Sequence, residues 1–185
     1  MTSTSDEAVT REARFESLFL SNRAGIFGYF LRRAHSNPDA ADLLAETFLI
    51  AWRKLDEVPA QDAGRLWLFG VARRLLANYH RHERVENSMA AKLRVQMAGQ
   101  AEQHFGREVA LFDEVIASSV DSLRTEDREI IELSAWENLT PTEIANVMGM
   151  KPGTVRVRLH RIRRIIASHL ISAGYPAATD ADCTG

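Results

Sequence analysis

Between Thr140 and Ile166 the chain reads TPTEIANVMGMKPGTVRVRLHRIRRII, and residues 151–164 carry Lys151, Arg156, Arg158, Arg161, Arg163 and Arg164 with no acid among them. Cations at that density neutralise phosphate, and arginines among them can also reach guanine edges in a DNA groove. Thr140 with Glu143 three residues on has the form of a capping box, and Pro141 suits the first helical position. Gly149 supplies the backbone freedom of a helix stop, and Pro152 begins a second helix. Two short helices so joined form a helix-turn-helix, whose second helix enters the major groove. At 100° per residue, Val155, Leu159, Ile162 and Ile166 fall on one apolar stripe. Gly153, Val157, His160, Arg161 and Arg164 lie opposite, with Arg156 on the flank. A charge run is more often a solvated face, but here the cap, the glycine turn and the polarity agree. Val157 could touch a thymine methyl, and Gly153 lets a backbone approach closely. Arg156 and Arg161 suit guanine edges or phosphates equally.

A second basic face lies upstream, in RLWLFGVARRLLANYHRHER over Arg65–Arg84. Leu68, Val71, Ala72, Leu75 and Tyr79 share one side of the helical wheel. Gly70, Arg73, Arg74, Ala77, His80, Arg81 and Arg84 share the other. Trp67 sits at the border, where an indole either stacks on an unpaired base or closes the edge of the core. Asp39–Leu55, DAADLLAETFLIAWRKL, has the opposite polarity. Ala41, Leu44, Phe48, Ala51 and Leu55 are its expected core stripe. Asp39, Asp42 and Glu46 form an acidic strip beside Leu43, Leu49 and Ile50. Apolar groups among acids fit a docking surface for a basic partner, although an acidic helix face is as often merely solvated.

No constellation for catalysis accompanies these faces. The sequence holds no P-loop and no nucleophile elbow, and its one cysteine, Cys183, excludes an intramolecular disulfide and a Cys-rich zinc site. His80 and His82 have no acid or cysteine cluster around them and read as solvent-facing or phosphate-near. No cofactor or metal is expected, and the protein is not expected to be an enzyme. The net charge of −2 hides local polarity of both signs: residues 108–137 carry nine acids against two arginines. The acidic stretch could shield a basic face, though core packing and solubility also explain it. No apolar run is long enough to span a membrane and no signal peptide is visible, so a cytoplasmic protein is expected.

The elements that must position these faces are helical throughout. A polar, disordered tail is expected over residues 1–10, then a long helix or helix pair over 11–35. A helix follows from Pro38 to about Leu55, a loop over 56–64, and a third helix over 65–84. Residues 85–107 lack a hydrophobic face and read as a linker. A second helical block covers 108–171, and a frayed tail follows from 172. The expected fold class is all-α, with two small helical domains joined by a flexible linker.

Three segments together resemble the extracytoplasmic function (ECF) group of bacterial RNA polymerase sigma factors, within the sigma-70 family. Asp39, Asp42, Leu43, Glu46, Thr47, Phe48, Ala51 and Trp52 match that family's core-binding helix. Trp67-Leu68 and Ala72-Arg73 match its −10 helix. Glu143-Ile144-Ala145, Gly149, Gly153-Thr154-Val155, Arg158-Leu159 and Arg161 match its −35 helix-turn-helix. The resemblance implies a subunit that binds core RNA polymerase, at the beta prime coiled coil and the beta flap, and directs it to promoter DNA. It implies an anti-sigma factor as a further partner. The implied core-binding residues are Asp39, Asp42, Leu43, Glu46, Thr47, Ile50 and Arg53. Those for the −10 element are Trp67, Arg73, Arg74, Asn78, His80, Arg81 and Arg84. Those for the −35 element are Lys151, Gly153, Thr154, Arg156, Val157, Arg158, His160, Arg161 and Arg164. Two positions depart from the pattern: Ala45 stands where a glutamine is frequent, and Lys151 where a serine caps the helix. A stand-alone helix-turn-helix regulator is the alternative, and it leaves the acidic helix and the second basic helix unexplained.

Overall fold

The computed structural model describes residues 3–94 and 107–176, with side chains described over 11–82 and 112–176. Seven α-helices make up the described chain, and no strand occurs among the described residues. They are α1 (Ser3–Leu31), α2 (Asn37–Arg53), α3 (Asp62–Arg94), α4 (Arg107–Asp121), α5 (Thr125–Ala135), α6 (Pro141–Met148) and α7 (Pro152–Ser172). The chain divides into two compact units, Met1–Ala98 and Gly99–Gly185. That division falls inside the stretch expected as a linker, whose residues 95–106 lie outside the described residues, as do Cys183 and the rest of the tail beyond 176.

In the first unit α1, α2 and α3 pack on one another. Ile26, Tyr29 and Phe30 of α1 meet Leu68, Phe69, Val71 and Ala72 of α3 in a core with almost no solvent access. Tyr29 and Phe69 lie edge to face at 5.8 Å, and Phe19 and Phe48 close the α1–α2 contact at 4.8 Å. Each such ring pair adds roughly 0.5–1.5 kcal/mol beyond the area it buries. α2 starts where Ser36 Oγ accepts the Asp39 N–H and Pro38 occupies the first turn.

Two elements run past their expected ends. α1 begins at Ser3, where a disordered tail is expected, and continues as one helix. α3 begins at Asp62 and continues to Arg94, ten residues into the expected linker. The expected loop over 56–64 is therefore shorter: a 3-10 turn, Leu55–Glu57, leads to Val58–Gln61 and directly into α3.

In the second unit α7 packs on α4, α5 and α6. Val155, Leu159 and Ile162 are the buried stripe of α7, facing Leu133 and Ile130 of α5 and Ile144 of α6 in one core. The expected capping box is present: Thr140 Oγ1 accepts the Glu143 N–H, and Glu143 Oε2 accepts the Thr140 N–H at 2.7 Å. Gly149 ends α6 at φ 67°, ψ 36°. The Met150 N–H then reaches back to Ala145 O at 2.8 Å, the six-to-one bond of a Schellman stop. Lys151 stands at the start of α7 without a side-chain cap bond, as its ammonium cannot accept one.

Candidate nucleic-acid and polymerase interfaces

The outer face of α7 is open along its length. Lys151, Gly153, Thr154, Arg156, Val157, His160, Arg161 and Arg164 are all exposed, and Val157 keeps 71% of its surface in water. An apolar side chain so exposed on a cationic helix gains nothing from folding, which suits a contact made with another molecule. Arg158 departs from expectation. It lies nearer the buried stripe than the other arginines and turns inward to α5. Its Nη1 donates to Glu126 Oε2 at 2.8 Å, and its Nε lies 2.8 Å from Asp127 Oδ1. Glu126, hydrogen-bonded to it, raises the Arg158 pKa further above its ordinary value. Arg158 is thus committed to holding α7 on α5 instead of standing free for DNA. Arg161 also pairs with α5, through Nη2 to Asp127 Oδ2, but remains exposed. Glu126 and Asp127, both in the acidic stretch 108–137, are therefore bound to α7 of the same unit.

On α3 the expected core positions Leu68, Val71, Ala72 and Leu75 are buried, and Tyr79 is half-buried. Phe69 and Leu76 widen that stripe, since α3 packs on both α1 and α2. Arg74, Asn78 and Arg81 are exposed, while Trp67, Arg73 and His80 are half-buried. The Arg84 side chain lies outside the described residues.

Two of the residues expected to touch polymerase are core residues. Leu43 is 7% exposed and Thr47 fully buried, its Oγ1 donating to Leu43 O at 2.8 Å. The buried arc of α2 runs from Leu43, beside Leu75 and Tyr79 of α3, to Phe48, against Phe15 and Phe19 of α1. That arc is displaced from the expected stripe, and Ala41, expected inside, is exposed. Asp42, Glu46 and Arg53 are exposed, Asp39 and Ile50 half-buried. Asp39, Asp42 and Glu46 line one wall of a groove of about 370 Å³ whose other wall is Asn78, Tyr79 and His82 of α3. Tyr79 donates to Asp39 Oδ2 at 3.0 Å and Ser36 Oγ donates to it at 2.6 Å. Those two hydrogen bonds, Ser36 first, with the His35 charge, hold the Asp39 carboxyl below its ordinary pKa.

Two further features escape a helical wheel. On the other side of α2, Ala45, Leu49 and Trp52 join Phe15, Phe19 and Phe48 in a shallow apolar groove. Its sequence signals are Leu49, apolar beside the acidic strip, and the aromatic pair at 15 and 19, one turn apart on α1. Between α1 and the 55–62 segment lies a recess of about 520 Å³ lined by Arg14, Asn22, Gln61 and Arg65 among others. Arg14 Nη2 donates to Val58 O at 2.6 Å and so ties this segment to α1. Gly64 permits the fold-back, because a Cβ there would lie 2.8 Å from Pro59 O.

Among the described residues no group of acids, histidines and cysteines is arranged to hold a metal ion, and no helix is long and apolar enough to cross a membrane. The described architecture is that of two helical binding units. Residues 18–85 match the family described as Sigma-70 region 2, and residues 113–166 match Sigma-70, region 4. The chain is 31% identical over 178 residues to the ECF RNA polymerase sigma factor SigL of Mycobacterium tuberculosis, covering 94% of this chain and 98% of that one. The chain belongs to the ECF sigma factors. It is also 27% identical to the RNA polymerase sigma factor YlaC of Bacillus subtilis, covering 80% of this chain and 87% of YlaC. Its fold is similar to that of the sigma factor RpoE from Bartonella quintana, solved in complex with the anti-sigma factor NepR, with TM-score 0.59, 19% identity, and coverage of 85% and 96%. As a sigma factor it directs RNA polymerase to promoters and is not an enzyme. Chemistry at the template belongs to the polymerase, and this subunit supplies recognition.

Proposed function

We propose that each open face described above has one target in the initiation complex. The exposed side of α7 docks in the major groove of the −35 element through Lys151, Gly153, Thr154, Arg156, Val157, His160, Arg161 and Arg164. The observation that carries this reading is the opposition, on one helix, of a buried stripe of Val155, Leu159 and Ile162 and an acid-free cationic face. The α3 face with Trp67, Arg73, Arg74, Asn78, His80, Arg81 and Arg84 meets the −10 element. The recess beside Pro59–Gln61 has the size and donors to take a base turned out of the opened strand. Strand opening is then driven by the affinity of these groups for the separated strand.

Asp39, Asp42, Glu46, Ile50 and Arg53 meet the beta prime coiled coil of core polymerase, while Leu43 and Thr47 support that face from beneath. The second unit adds a contact to the beta flap. A structural relative solved with an anti-sigma factor supports an anti-sigma protein as a partner of this chain, and a promoter-directing role puts the chain in the cytoplasm, with the polymerase. Run-off transcription with purified core polymerase and a promoter library tests the whole scheme. Initiation that depends on the added chain is expected. Tight, specific DNA binding by the free chain with no effect on core polymerase would instead favour a stand-alone regulator.

A further inference from the structure

Beneath the recognition helix lies a carboxylate whose two oxygens face two different arginines. Asp127 is the third residue of α5, in the first turn, where free N–H groups and the helix dipole favour an anion. Its side chain is only 4% exposed. A carboxylate so buried must be paired, because its desolvation is otherwise uncompensated. Oδ2 accepts from Arg161 Nη2. Oδ1 has Arg158 Nε at 2.8 Å but no aligned hydrogen bond, so that contact is one of charge.

The two arginines are held differently. Arg158 has 19% of its side chain exposed and spends its Nη1 on Glu126, which closes it against α5. Arg161 is 55% exposed, with one nitrogen bound to Asp127. A guanidinium has five N–H donors in a rigid fork, so Arg161 retains donors for a ligand. A long side chain anchored at one nitrogen loses much of its rotamer freedom. A fixed fork discriminates base edges, whereas a mobile cation meets any phosphate within reach.

We propose that Asp127 is a positioning residue for −35 readout: it fixes the Arg161 guanidinium at the edge of the DNA-facing surface and, with Glu126, keeps Arg158 off that surface. The proposal rests on α7 being the helix that reads the −35 element. Neutralising Asp127 would free the Arg161 fork to meet any phosphate within reach, exchanging a directed contact for an undirected one, while Glu126 still holds Arg158.

The test uses holoenzyme reconstituted from core polymerase and the full chain, on a promoter selected from a randomised library. For Asp127→Asn, preference for the selected −35 element over a scrambled one should fall about tenfold, the scale of one directed base contact. Preference at the −10 element should not change. The slope of log affinity against log salt should steepen by about one, as for one added phosphate contact. In an Arg161→Gln background, Asp127→Asn should lower −35 preference no further. Unchanged preference and slope overturn the proposal, as does a fall that persists undiminished in the Arg161→Gln background. Should Asp127→Asn lose helix content by circular dichroism, Arg161→Lys decides, since it keeps the charge beside Asp127 and removes the fork. A lost preference at unchanged slope upholds the proposal, and full preference overturns it. Arg156→Ala separates the two levels. If it leaves both −35 preference and affinity for −35 DNA intact, the reading of α7 itself fails; if it lowers either while Asp127→Asn is silent, only the positioning role fails.

Discussion

Side chains on these surfaces divide by whether the fold already uses them. Arg158 is bound to two acids and Thr47 is sealed in the core, so substituting either disturbs packing before it disturbs recognition. Arg156 is exposed, and Arg156→Ala should lower −35 discrimination by about 1–3 kcal/mol if it reads a base edge, with core-polymerase affinity unchanged in a pull-down titration. At Gly64 the constraint is steric. Gly64→Ala drives a Cβ toward Pro59 O and must displace the Val58–Gln61 segment. Permanganate footprinting should then show impaired strand opening while −35 binding persists. Asp39 gives a prediction in pH. Its folded pKa is depressed, so the stabilisation it supplies is present above the unfolded value and is lost as pH falls through the lower, folded one. Ser36→Ala removes the largest cause. Carboxyl-carbon NMR should then report an Asp39 pKa shifted up toward 3.8, the ordinary value.

Whole elements depend on their ends and on their buried stripes. The turn between α6 and α7 relies on the Thr140 cap and on Gly149 in the left-handed region. Thr140→Ala should cost about 1 kcal/mol and Gly149→Ala about 1–2 kcal/mol, both readable as a lower urea midpoint. Ile162→Ala, at the centre of the α7 stripe, should cost about 2–5 kcal/mol through the cavity it leaves. Legibility in the sequence follows the same physics. α7 was readable because it offers one apolar side, and Val155, Leu159 and Ile162 are all buried. The ends of α6 were readable because caps are local chemistry. The rotation of α2 was not, because α2 packs on both α1 and α3 and buries Ala40 and Thr47, residues without a strong hydrophobic signal. Nor was the inward turn of Arg158, whose partner Glu126 lies 32 positions away in the chain. Periodicity reports a face of one helix, not what stands opposite it.

For the whole molecule, two separate units imply that promoter affinity is an avidity. Asp42→Ala with Glu46→Ala should weaken binding to core polymerase and leave −35 preference intact, the reverse of the pattern expected for Arg156→Ala. Because these sites lie in different units and share no partner, their free-energy penalties should add to within about 0.5 kcal/mol in the combined variant, measured by transcription titration. Non-additivity beyond that would mean that the units communicate. The helix-turn-helix carries a last consequence. Its turn is fixed by the Thr140–Glu143 box, Gly149 and the Met150–Ala145 bond, and its packing by Val155, Leu159 and Ile162. None of those groups lies on the open side of α7. The side of the helix proposed to read DNA is thus separable from the grammar that folds it. On that proposal, promoter preference should drift, or be transplanted from another sigma factor, by exchanging exposed residues such as Arg156, Val157 and His160 on an unaltered scaffold.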